Sequence, residues 1–211
     1  TMGNDERPPF CVSPLLSFLN HVFIKSNKQP HFEFYNIVRT AVFPLISSSY
    51  LPLFNNFITN LFNTIISEGT PVIEYLHQNL IRLWPISNGE KQAYFIDFHI
   101  LCLRKMNDKQ VTNALKQSLG LFADVLNGEQ ADAIEAVLNF LNSEKPEWVV
   151  THSSRVINEL YRPVKDLTIK HWSCIIREKA ATAIMELGKL DRNAFIIVCQ
   201  KDVPDRTRKN L

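Results

Sequence analysis

The sequence predicts an all-α protein, a HEAT-like or armadillo-like α-solenoid of about five antiparallel helix pairs, and three observations predict it. Apolar residues recur at helical spacing in one segment after another, and short stretches carrying Pro, Asn, Asp or Gly separate the segments. Glycine is scarce, with 6 in 211 residues, where a chain of this length would carry about 15 at the usual ~7 %, so turns that need positive φ are few. A shift of 41 superposes Pro30 on Pro71, Glu33 on Glu74 and Pro44 on Pro85, with Phe32 on Ile73, Phe34 on Tyr75, Val42 on Leu83 and Phe43 on Trp84 between them. A helix pair about every 40 residues is the spacing of HEAT and armadillo arrays. An ordinary helical bundle is the rival reading.

Helices are expected near 14–25, 31–46, 52–67, 71–84, 89–105, 109–126, 129–142, 147–162, 167–187 and 192–201. The first opens at Ser13-Pro14 and the second behind Gln29-Pro30, where a polar side chain can accept from free N–H groups and a proline lacks only a donor the helix would not use. Pro44 should stop the second. The third puts Phe54, Phe57, Ile58, Leu61, Phe62, Ile65 and Ile66 on one stripe and Asn55, Asn56, Thr59, Asn60, Asn63 and Thr64 on the other face. The fourth runs from Thr70-Pro71 to Pro85. Asn88 caps the fifth, which holds the longest apolar stretch, Tyr94 to Leu103, broken by Asp97 and His99. In the sixth, opened by Asp108, the stripe is Val111, Ala114, Leu115, Leu119, Phe122, Val125 and Leu126; in the seventh it is Ala131, Ile134, Val137, Leu138 and Leu141. Asn127-Gly128-Glu129-Gln130 has the spacing of a capping box for that seventh helix. Thr151 and Asp191 are further caps. Pro146 and Pro163 mark stops, and Gly188 is placed as a left-handed cap.

The domain reading is a tag-derived or disordered segment 1–12, a repeat domain 13–201 and a charged tail 202–211. Thr1 before Met2 reads as a cloning remainder, which favours a naturally short relative over an excised fragment. A truncated solenoid exposes an apolar end face, so self-association is expected. The tail, with Arg206, Arg208 and Lys209, is either solvated or an electrostatic docking arm.

A net charge of +2 from 23 basic and 21 acidic residues gives no basic face for nucleic acid. The longest apolar stretch is too short to span a bilayer, so no membrane is implied. No apolar signal core and no Asn-x-Ser/Thr sequon occur, which places the chain in the cytoplasm or nucleus. Cys11, Cys102, Cys174 and Cys199 lie far apart, read as buried thiols, and signal neither zinc nor disulfides. No phosphate loop, His-Glu-x-x-His or Gly-x-Ser-x-Gly occurs, so neither a catalytic site nor a cofactor is expected. Asp97 and His99, two apart, point to different sides of a helix. The six histidines, His21, His31, His77, His99, His152 and His171, read as surface or capping residues, and Trp84 and Trp172 as packing between repeats.

Several blocks resemble the B-prime regulatory subunits of protein phosphatase 2A. Thr70-Pro71-Val72, Leu80-Ile81-Arg82-Leu83-Trp84-Pro85 and Lys91 are similar to that family's Pro-Val helix running into a Leu-Leu-Lys-x-Trp-Pro turn. Glu135-Ala136-Val137-Leu138-Asn139-Phe140-Leu141-Asn142-Ser143-Glu144 resembles its Glu-Arg-Ala-Leu-Tyr-Tyr-Trp-Asn-Asn-Glu helix end. Leu160-Tyr161-Arg162 with His171-Trp172 resembles its Leu-Tyr-Arg…His-Trp element, and Met185-Glu186-Leu187 its Met-Glu-Met. The likeness covers about residues 15 to 200 and corresponds to the C-terminal half of such a subunit. Ala136 and Leu141 replace the family's Arg and Trp, Ser173 replaces its Asn, and four extra residues separate Arg162 from His171. The resemblance implies a non-catalytic solenoid that docks on the phosphatase scaffold and catalytic subunits and recruits clients through a short acidic Leu-x-x-Ile-x-Glu peptide. The surviving wall of that peptide groove is expected at Phe18, Leu19, Lys25, Lys28 and His31. A ridge meeting the catalytic subunit is expected at Asn142, Glu144, Glu147 and Trp148, with a plain solvated turn as the other reading. A second functional reading is a peptide-binding or scaffolding solenoid that has lost its phosphatase contacts.

Overall fold

In the computed structural model, residues 11–25, 32–66 and 71–202 are described. The elements are α1 (Val12–Lys25), α2 (Phe32–Ile37), a π turn (Val38–Val42), α3 (Phe43–Ser47), α4 (Leu51–Ile65), α5 (Pro71–Arg82), α6 (Gly89–Lys105), α7 (Asp108–Leu126), α8 (Ala131–Asn142), α9 (Glu147–Thr151), α10 (Ser153–Lys170), α11 (Cys174–Leu190) and α12 (Arg192–Lys201). Among the described residues all regular structure is helical.

The helices form two layers. α1, α4, α6, α8 and α11 pack in succession as one layer. The other holds the α2–α3 segment, α5, α7, α10 and α12: Tyr35 and Phe43 meet Tyr75 of α5 at ring-centroid distances of 5.3 and 5.9 Å, and α7, α10 and α12 follow in contact. Taken in chain order the described helices make five pairs, the solenoid that the 41-residue shift predicts. The alternation also sorts the connections. Those between pairs (48–50, 83–88, 127–130 and 171–173) share one edge; those within pairs (106–107, 143–146 and 191) share the opposite one.

Two apolar cores meet at α6. Phe95, Phe98 and Cys102 face the N-terminal core with Phe62, Ile73 and Leu76, whereas Ile96, Ile100 and Leu103 join the C-terminal core with Phe122, Leu138 and Leu160. Trp84 and Met106 touch both. Trp84 thus packs between repeats as expected, with its ring 6.1 Å from Phe95 and 6.3 Å from His99.

Local rules explain most boundaries. Asn88 accepts from the Lys91 amide and Asp191 from the Ala194 amide, as their capping roles require. The capping box lies one helix earlier than the sequence suggests, at the start of α7 instead of α8. Asn107 accepts from the Gln110 amide while the Gln110 side chain accepts from the Asn107 amide, whereas Gln130, the N-cap of α8, makes no side-chain cap bond. Replacing Asn107 by Ala should cost about 1 kcal/mol, read as a lower urea midpoint at unchanged slope, with Asn107→Ser losing less.

Three expected stops are corrected. Pro44 does not end its helix: the π turn places the Phe43 amide on the Val38 carbonyl, and this wider turn precedes the residue whose ring would clash with the carbonyl four back. Pro163 lies buried inside α10, so the 147–162 and 167–187 helices are really α9, α10 and α11. Burial of Val156, Ile157, Leu160, Val164 and Leu167 on one stripe outweighs the ~3 kcal/mol of an internal proline. Gly188 sits within α11, which ends at Leu190, and a Cβ at this position would meet the Phe195 ring at ordinary van der Waals distance.

Candidate interaction surface

The turn from α8 into α9 closes on itself. Lys145 folds its ammonium onto the carbonyls of Leu141 and Ser143, at 2.7 Å for the latter, neutralising the carbonyl end of α8. Burial lowers its pKa. Asn142 donates to the Lys179 carbonyl at 3.0 Å, stitching α8 to α11. Trp148 is buried and stacks on Phe140 at 5.8 Å and 15°, its indole Nε1 without a partner among the described residues. Of the four ridge residues, only Glu144 and Glu147 present their side chains to solvent.

A groove of about 540 Å³ crosses the outer face of α4, α6 and α8 and ends at Ser143, beside this turn. Its floor includes Phe98, Ile100 and Phe140, and its rim carries Asp97, Asp132 and Glu135 against Arg104. Desolvation pushes the Asp97 carboxyl above the usual range. Lys179 reaches from α11 to Glu135 at 2.5 Å and to Asn139 at 2.8 Å, so it neutralises one rim carboxylate. The groove favours cationic side chains over an apolar floor, the opposite sign from the expected client groove.

That client groove is only partly visible. Phe18 is 64 % exposed on α1 and Leu19 is half-buried; Lys25 ends α1, and Lys28 and His31 lie outside the described residues. Leu15, Phe18 and Val22 form an exposed apolar stripe on α1, while Leu16 faces the core and Asn20 accepts from Thr64 of α4 at 2.5 Å. At the other end, α12 exposes Ile196 and Ile197. The tail beyond Asp202 also lies outside the described residues.

Three further expectations change. Cys102 is buried and its thiol pKa is pushed up to about 12, but Cys11 and Cys174 are exposed. His77 and His99 are core residues: the rings lie 4.9 Å apart edge to face, and His77 Nε2 pairs with the Ser118 hydroxyl at 2.8 Å. Neither ring nitrogen of His99 has a partner among the described residues. Trp172 is 78 % exposed in the α10–α11 connection instead of packed between repeats. The Asp97 carboxylate and the fully buried His99 do point apart. No group of three or more metal-binding side chains occurs among the described residues, and none of their helices is long and apolar enough to cross a membrane.

Comparison with known proteins adds two findings. A model of the protein phosphatase 2A regulatory B subunit family (B56 family) matches residues 2–210. The chain is also similar to a Dictyostelium discoideum protein described as serine/threonine-protein phosphatase 2A regulatory subunit psrA, at 18 % identity over 196 residues, covering 90 % of this chain and 31 % of the relative. The chain therefore spans about a third of that relative's length.

Proposed function

The chain belongs to the B56 family of protein phosphatase 2A regulatory B subunits, and on that premise we propose that it is a non-catalytic adaptor that binds the phosphatase scaffold and catalytic subunits and brings clients to them. The observation that carries this reading is the family match across residues 2–210, laid over five helix pairs that end in exposed turns and grooves. Such an array holds partners along its loops and faces. Clients would be short acidic linear-motif peptides lying against α1, where Phe18 and Leu19 supply apolar contacts and Lys25, Lys28 and His31 the opposing charge. The apolar stripes on α1 and α12 support self-association as a further property of the isolated chain.

A pull-down with the purified scaffold–catalytic core dimer tests the adaptor reading. Capture at micromolar concentration is the expected result, and none at that concentration removes the holoenzyme role. One observation favours a second reading, a scaffolding solenoid without phosphatase contacts: Asn142 and Trp148 are engaged within the fold rather than offered to a partner. Under that reading a Leu-x-x-Ile-x-Glu peptide still binds, and Lys25→Glu or Lys28→Glu weakens it, while the core dimer is not captured.

A further inference from the structure

The layer that holds α7, α10 and α12 turns outward a set of cations that nothing in the fold neutralises. On α7, Lys109 and Lys116 lie opposite the buried Val111, Leu115, Leu119 and Phe122. On α10, Arg155 and Arg162 lie opposite Val156, Ile157, Leu160, Val164 and Leu167. None of the four makes a hydrogen bond or ion pair among the described residues, whereas Lys165 and Lys170 of α10 are held by Asp202 at 2.5 Å and Asp166 at 3.0 Å. α7 and α10 pack together, and Leu126 and Leu167 line one cleft where both helices end, so the two run parallel with the repeat's own offset. At about 1.5 Å per residue the charges then follow in the order Lys109, Arg155, Lys116, Arg162 over about 18 Å, two on each wall of the groove between the helices. Beyond α10, Arg192 and Lys201 of α12 are exposed and equally unpaired.

The carboxylates that face this groove are fewer. Glu159 stands between the two arginines without pairing to either, Asp124 lies past Lys116 towards the end of α7, and Asp108 opens that helix. From α5, Arg82 is exposed, while Glu74 lies in the cleft beside His77. The groove is therefore cationic in a chain that is nearly neutral as a whole. Carboxamides stand between the charges. Asn113 and Gln117 of α7 are exposed with no partner among the described residues, and Asn158 of α10 donates from Nδ2 to the Ser154 carbonyl at 2.8 Å, which leaves its Oδ1 open as an acceptor. Open acceptors need N–H groups, which a peptide backbone supplies and a phosphate backbone does not. About six residues of extended chain span about 20 Å, enough to lie over all four cations.

We propose that the groove between α7 and α10 is a docking site for an extended acidic segment of a partner protein, whose Asp and Glu side chains meet Lys109, Arg155, Lys116 and Arg162 while its backbone meets the carboxamides. The site is separate from the α1 groove and stands whether or not the chain binds the phosphatase core. Complementary charge of this kind sets encounter rate and specificity, and exposed pairs weaken as salt rises.

The test is fluorescence anisotropy of a labelled peptide of alternating Glu and Ser, titrated with the 211-residue chain at low ionic strength, beside a Lys–Ser peptide and a single-stranded oligothymidine. The acidic peptide should bind and the other two should not. Lys116→Glu/Arg162→Glu should weaken its binding by about tenfold or more, Glu159→Gln should tighten it about twofold, and Lys25→Glu/Lys28→Glu should leave it unchanged. Melting temperatures of the Lys116/Arg162 and Glu159 variants should match the parent's, because these side chains are exposed. No binding of the acidic peptide by the parent chain overturns the proposal, as does binding that the Lys116/Arg162 variant retains, that only the Lys25/Lys28 variant loses, or that Glu159→Gln weakens. Tighter binding of oligothymidine than of the peptide reassigns the groove to nucleic acid, and loss of core-dimer capture by the folded Lys116/Arg162 variant reassigns it to the phosphatase core; either result also overturns the proposal.

Discussion

Acidification from pH 7.5 to 5 should remove about 2 kcal/mol of stability through His77 alone, with His99 adding in the same direction. Burial lowers the His77 pKa from 6.5 to about 4; it takes His99 well below 6.5, and the neighbouring His77 charge adds to the effect. Both rings are therefore neutral in the fold, whereas in the unfolded chain they take up protons near pH 6.5. Their contribution is complete above that pH and is lost as pH falls from 6.5 towards 4, because protons then bind the unfolded state preferentially. The groups facing the pair are few. Ser118 of α7 pairs with His77, Glu74 of α5 and Gln110 of α7 line the cleft of about 150 Å³ beside it, and Trp84 tilts over His99. The pair sits on α5 and α6 where the two apolar cores meet, so acid should loosen the joint between the N-terminal and C-terminal halves first. Urea midpoints at pH 7.5, 6 and 5 measure the loss. His99→Phe removes two unpartnered nitrogens while keeping a ring, so it should gain about 1 kcal/mol at pH 7.5 and flatten the pH dependence. A His77→Gln/His99→Phe variant whose midpoint still falls as steeply as the parent's would falsify the assignment.

The same histidines mark where sequence reasoning stops. The α4, α7 and α8 stripes follow from 3.6-residue periodicity, and most of the residues that spacing selects are buried, although Leu51, Gln110, Ser118, Ala133 and Phe140 are buried outside the stripes and Phe57 and Ala131 are only partly covered. α6 touches both cores, so nearly every position from Phe95 to Leu103 is covered and periodicity no longer separates inside from outside. His99 sits in that stretch. A histidine within a continuous apolar run, together with His77 and Ser118 separated by the repeat interval of 41, was the available signal. Pro163 shows a different conflict. The local rule that proline stops a helix lost to a stripe in which Leu160, Val164 and Leu167 keep their spacing straight through it. The family resemblance, carried by short blocks such as Leu80 to Pro85, was legible because those blocks shape turns and helix ends. The exposure of Ile86 and Trp172 was not, since both lie in connections whose backbone is held by Gln92 and Arg177 across a turn, an arrangement that leaves no periodic trace.

Trp148→Ala should cost about 4 kcal/mol, the largest loss expected of any single substitution near the candidate surface. The indole is 6 % exposed, stacks in near-parallel contact on Phe140, and belongs to the C-terminal core with Phe122, whose ring lies 6.1 Å from that of Phe140. Truncation removes the stack and leaves a cavity that the short helix Glu147–Thr151, pinned between α6 and α10, cannot collapse into. In a chain of this size the melting temperature should drop by about 10 °C. Trp148→Phe separates packing from contact. It keeps an aromatic face on Phe140 and deletes an indole nitrogen that has no partner, so its loss should stay below about 1.5 kcal/mol. Two structural readings of the 142–148 turn then give different outcomes in the core-dimer pull-down. If Trp148 only supports the turn, Trp148→Phe melts near the parent temperature and binds the dimer as the parent does, while Trp148→Ala loses binding only where it has unfolded. If the indole nitrogen is held for a partner acceptor, Trp148→Phe keeps its melting temperature and loses binding. The inward stack and the Lys145 clamp on the preceding turn predict the first result, measured as equal dissociation constants for the parent and Trp148→Phe at a temperature where both are folded.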